Sequence, residues 1–222
     1  MTIKFRLMKK LLIIIIMLSS ILNFFGCKGQ TDKQRKVTQE DIDKSIKDFI
    51  NRPTYTILTL QILDSISDDN LEQTIIDNIY AKLDSVNSYE KNYQIITTLS
   101  KGRQAVFATW GLEAEVNNGG FNQYFYNFAS SGQYAEEARD GLKLIGATKY
   151  SALTQKAIDT LMKNAKQLSK FRDGTLESFS KSYENNPLND LDTEFYALDK
   201  SENLSKLRIK YIKEHKSEFI DN

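Results

Sequence analysis

Only two prolines, Pro53 and Pro187, stand in 222 residues, and the long stretches free of breakers carry apolar residues three and four positions apart. Proline removes a backbone donor and interrupts a helix, so a chain punctuated this rarely can close most of its hydrogen bonds locally. Leu71, Ile75, Ile79 and Leu83 keep one register from a start near Asp69. Ile42, Ile46, Phe49 and Ile50 keep another, behind Thr38-Gln39-Glu40-Asp41, a cap followed by an acid three residues on. Val and Thr are sparse beside Leu, Ile, Lys, Glu and Ala, which favours helix over sheet. The expected class is all-α, a compact multi-helix domain with the stripes as its core faces.

Pro53 is expected to open a helix through Leu58, Ile62 and Ile66 to about Ser67. Residues 101–116 read as a helix carrying Val106, Trp110 and Leu112. Asn117-Asn118-Gly119-Gly120 should end it, since Asn and Gly tolerate the backbone conformations that helix ends need. Phe121 to Phe128 restarts as an aromatic helix, Ser130-Ser131-Gly132 is a turn, and another helix runs from about Tyr134 to Ile145, closed by Gly146-Ala147. Leu153, Ile158 and Leu161 mark the next. Residues 170–175 and 185–190 read as loops, Asp190 to Glu194 as an acidic turn, and Leu204, Leu207, Tyr211 and Ile212 as the last helix. There is no internal repeat and no low-complexity tract.

The N-terminus differs in kind. Lys4, Arg6, Lys9 and Lys10 stand without an acid before the apolar run Leu11 to Phe25, which ends at Gly26-Cys27. As a helix those 15 residues would span roughly 22 Å, short of the ~30 Å hydrocarbon core, so a cleaved secretory signal is the better reading than a retained span. Phe24-Phe25-Gly26-Cys27 resembles the lipobox of a bacterial lipoprotein signal peptide. That resemblance implies removal of residues 1–26 and acylation of Cys27, with palmitate among its chains. The protein would then be tethered to a membrane of the cell envelope, the outer one in a two-membrane cell because Lys28 and not an aspartate follows. The polar stretch to Val37 makes 27–37 a tether. Two helical parts follow, 38–84 and 85–220.

Composition narrows the chemistry. The chain has one cysteine, so no internal disulfide is possible and an exported domain must stand on its core alone. Without residues 1–26 it keeps 26 of its 30 bases against 29 acids, net −3. That near balance argues against a nucleic-acid-binding surface. His215, the single histidine, lies in a Lys-rich C-terminal segment and reads as a solvated cation near a helix end. No nucleophile elbow, phosphate loop or metal-ligand spacing is present, and Glu113 and Glu115 would point roughly 200° apart on a helix. Catalysis, metal and cofactor are accordingly not expected.

One string is distinctive: Glu115-Val116-Asn117-Asn118-Gly119-Gly120-Phe121-Asn122-Gln123-Tyr124-Phe125. With Ile145-Gly146-Ala147 and Leu191-Asp192-Thr193-Glu194-Phe195-Tyr196 in the same order, it resembles the C-terminal domain of bacterial DNA-mimic proteins, over roughly Ser85 to Phe219. The resemblance implies an all-helical domain that acts through a protein partner and not through turnover. Imitating DNA needs a dense array of acids, whereas residues 85–222 hold 18 acids and 18 bases. DNA mimicry itself is therefore not expected. Asp190, Asp192, Glu194, Asp199 and Glu202 form a local acidic patch that reads as a solvated face.

The candidate partner surface or pocket is Asn117, Asn118, Gly119, Gly120, Phe121, Gln123 and Tyr124. Adjacent amides and two glycines place donors and acceptors at a helix junction beside aromatics. The competing reading is a buried corner, in which the amides satisfy loose helix ends and the aromatics are core. At the level of function the alternatives are a protein-binding module and a small-ligand or hydrolytic protein using a polar pocket at Asn118 and Gln123.

Overall fold

The computed structural model describes residues 38–83, 89–127 and 133–221. The expected signal, Cys27, the tether and the turn Ser130-Ser131-Gly132 lie outside them. Every regular element described is helical, as the proline-poor, helical-period sequence implies. The chain divides after Pro53.

Before the division stands α1 (Gln39–Asn51). Its start is a reciprocal capping box: the Thr38 hydroxyl accepts from Asp41 N, and the Asp41 carboxylate accepts from Thr38 N at 3.0 Å. Arg52 ends it in an extended conformation, as the residue before a proline must.

After the division come α2 (Leu60–Ser65), α3 (Asp68–Leu83), α4 (Tyr89–Thr98), α5 (Lys101–Asn127), α6 (Gln133–Leu144), α7 (Thr148–Lys163), α8 (Ala165–Leu168), α9 (Leu176–Lys181), α10 (Asn189–Leu198) and α11 (Leu204–Glu214). Short 3₁₀ turns follow α8 and α11. The predicted stripe of α3 is buried at all four positions. It packs on α5 and α11. The hub is α5, against which α3, α6, α10 and α11 all lie. Val106, Leu112, Val116, Phe121, Tyr124 and Phe125 along it are closed to solvent.

Three sequence expectations need correcting. Pro53 does not open a helix. Residues 54–59 spend their backbone elsewhere: the Asn78 side chain donates to the carbonyls of Tyr55 and Thr56, Leu58 N donates to the Asp221 carboxylate at 2.8 Å, and Thr59 caps α2. Asp190 to Glu194 is not a turn but the start of α10, where acids suit the positive end of the helix dipole. Helices α4 and α9 were not foreseen. The second has only six residues, begun by the Thr175 hydroxyl accepting from Ser178 N.

Two ionic clusters tie α3 and the C-terminal segment to α5. Arg208, 1% exposed, donates through Nε to Glu72 at 2.6 Å and through Nη2 to Glu113. Burial opposes its charge, but the carboxylates of Glu113 and Glu72 prevail and hold the guanidinium above its ordinary range. At the C-terminal end, Asp221 pairs with Arg103 at 2.9 Å and Lys82 at 3.1 Å, and its own N–H donates to the Leu58 carbonyl at 2.7 Å.

Candidate functional site

Helix α5 is broken at the predicted position. Gly119 has φ −160° and ψ 30°, and Gly120 has φ 71° and ψ −178°. The second conformation belongs to a region that only glycine enters without strain. Space excludes other residues as well, since a Cβ on Gly120 would lie 2.1 Å from Asp192 Oδ2.

The break leaves helix ends to satisfy, and distant residues supply the partners. Asp192 on α10 accepts from Phe121 N at 2.8 Å and so caps the second half of α5. Tyr183 donates its hydroxyl to the Gly119 carbonyl at 2.9 Å, and Tyr196 donates to the Val116 carbonyl at 2.8 Å. Asn122 donates to Ser182 Oγ at 2.6 Å and accepts from Asn186 at 2.9 Å, while Asn186 Oδ1 accepts from Leu188 N. Gln123 and Asn127, four residues apart on one helix face, both donate to Glu115 Oε2, at 2.8 and 3.2 Å.

The seven expected site residues separate by burial. Phe121 and Tyr124 are core side chains, with the Tyr124 hydroxyl donating to the Tyr134 carbonyl. Phe121 also meets Phe195 edge-on, ring centroids 5.6 Å apart. Gly120 and Gln123 are buried, Gly119 and Asn117 half-buried, and Asn118 is exposed. Sequence reasoning missed Asp192, Tyr183, Ser182 and Asn186. For Asp192 a signal existed, because the family resemblance sets its string beside the glycine string, but reading it as part of a solvated acidic face hid its role. It is half-buried.

Two carboxyls in this corner, Glu115 and Asp192, accept from protein amides. Burial raises Glu115 above the usual glutamate range, against hydrogen bonds from Gln123 and Asn127 that lower it. Burial likewise raises Asp192, against the bond from Phe121 N. Their charge is felt nearby: Tyr80 is pushed up to about 12 by burial and then by Glu115 and Asp77, and Tyr183 and Tyr196 are raised by burial and by Asp192. Glu113, two residues from Glu115, serves the Arg208 cluster instead, as the helical angle between them requires. A separate groove of about 340 Å³ lies between α7 and α10, lined by Lys149, Ala152, Leu153, Lys156, Glu194 and Leu198. Among the described residues no group of three or more His, Cys, Asp or Glu is placed to hold a metal ion.

No curated protein and no solved structure matches the chain. The model of the DMP19-like protein family matches residues 97–215, which hold α5 with its glycine break, the clamping residues Tyr183, Asp192 and Tyr196, and Arg208 with Glu113. The chain therefore belongs to the DMP19-like protein family.

Proposed function

We propose that the protein is a membrane-anchored lipoprotein whose helical domain binds a protein partner and performs no catalysis. The observation that carries the binding half is how the broken-helix corner spends its polar groups. Asn122, Gln123, Asn127, Tyr183 and Asp192 bond to one another's elements and to freed backbone groups. Such a corner is a rigid support, and recognition falls to what it displays, Asn118 and the 48% exposed Tyr196. The anchoring half rests on the basic and apolar N-terminus ending in Gly26-Cys27. Several acyl chains on one cysteine hold a protein firmly, since each buried CH₂ contributes ~0.8 kcal/mol. The compartment is the cell envelope.

Replacing Cys27 by Ala tests the anchor: the variant should leave the membrane fraction, and retention equal to wild type would refute anchoring through that residue. A second reading, a small-ligand or hydrolytic site, is favoured by one observation, the raised Glu115 carboxyl beside Gln123. Glu115→Gln separates the two. Loss of a captured partner's binding with folding intact, or loss of a turnover activity, would each identify the reading to keep.

A further inference from the structure

We propose that α1 is a second membrane contact, lying along the bilayer surface with Ile42, Ile46 and Ile50 in its outer layer. This rests on the reading that Cys27 is acylated.

Among the described helices of ten or more residues, α1 alone has no described side chain that is buried. Ile42 and Ile46 are half-buried and Ile50 is 57% exposed. These three recur every four residues and share one face. The opposite face carries Glu40, Lys44 and Asn51. The helix needs no packing to define its start, because the Thr38–Asp41 box is local. An amphipathic helix of this kind must cover its apolar stripe with something.

Position selects the occupant. Ten residues stand between Cys27 and Thr38, and the eleven steps between them reach at most ~40 Å even when fully extended. A helix held that close to a bilayer meets it at high effective concentration. Charge selects the lipid. Glu40, Asp41, Asp43 and Asp48 outnumber Lys44 and Lys47, so contact depends on apolar insertion and not on anionic headgroups.

The test uses the acylated full-length protein in phosphatidylcholine vesicles. With Cys27 blocked by its lipid, a spin label enters only an introduced thiol, in Ile46→Cys or in Lys44→Cys. Both substitutions leave the capping box intact. The expected result is a label at position 46 relaxed by oxygen and shielded from a water-soluble nickel complex, with the reverse at position 44. A label at 46 open to the nickel complex overturns the proposal. So does one shielded from both reagents, which would place the stripe against protein. A wild-type chain that takes label at Cys27, with no acyl mass, instead overturns the anchor reading beneath it.

Discussion

At the scale of single residues, the broken-helix corner depends on Gly120 and Asp192. Gly120→Ala must place a Cβ in a glycine-only conformation and against the Asp192 carboxylate. It should lower stability by about 1–3 kcal/mol from the backbone alone, read as a reduced urea midpoint. An unchanged midpoint would mean the break is not as described. Asp192 supplies an acceptor, and its charge is the burden. Because burial raises its folded pKa, its protonated form is favoured by the fold. Its penalty is absent below the unfolded pKa, grows as pH rises through the folded one, and is complete above. Asp192→Asn keeps an oxygen for Phe121 N and removes the charge. The difference in melting temperature, variant minus wild type, should therefore increase from pH 4 to pH 7. Asp192→Ala, which leaves Phe121 N without its partner, should lose about 1–3 kcal/mol, offset in part by relief of the charge. A pH-independent difference for the asparagine variant would contradict this assignment. The break itself was legible in the sequence, since adjacent Asn and Gly are local punctuation. Its clamp was not, because Asp192 lies 71 residues away and nothing local distinguishes a capping acid from a solvated one.

Among the elements, α7 shows the same division between local and distant information. Its apolar register was readable, but its N-cap, Ala147, makes no side-chain hydrogen bond. Glu202, between α10 and α11, reaches across to accept from Lys149 N at 3.0 Å and Tyr150 N at 3.2 Å. A carboxylate there also faces the positive end of the helix dipole. Glu202→Ala should cost ~1 kcal/mol, the ordinary value of a lost cap, seen as faster amide exchange in the first turn of α7. Unchanged exchange would show that water replaces Glu202 without loss. The cap of α1 was legible because its two halves are three residues apart. The misread start at Pro53 has the opposite cause, since residues 54–59 are held by Asn78 and Asp221 from far along the chain.

For the molecule as a whole, class was read correctly because helical periodicity and scarce proline are properties of every segment. The ionic clusters were invisible because they join α3 and α5 to Arg208 on α11 and to Asp221 beyond it. Arg208→Ala would strand the buried end of Glu72 and an unpaired Glu113, and a broken buried pair costs about 3–5 kcal/mol, enough to endanger a fold of ordinary stability. Arg208→Met, which also removes the buried charge, should be destabilising for the same reason unless Glu72 and Glu113 are neutralised with it. Thermal melts of the single and triple variants distinguish these cases. The raised acids of the corner and the lowered Asp221, held down by Leu58 N, Lys82 and Arg103 against its burial, act in opposite directions on acid stability. Asp221 contributes stability above its unfolded pKa that is lost as pH falls through its folded one.

A protein-binding domain displayed at a membrane should show its partner in affinity capture of the acylated protein from gently solubilised envelopes, beside an Asn118→Arg variant. Asn118 is the right position because it is exposed, whereas Asn122 and Gln123 are buried and would report on folding. One partner should come with the wild type at near-equal amount and be lost with the variant at an unchanged melting temperature. A wild-type protein that comes through intact, acylated and without a partner would contradict it.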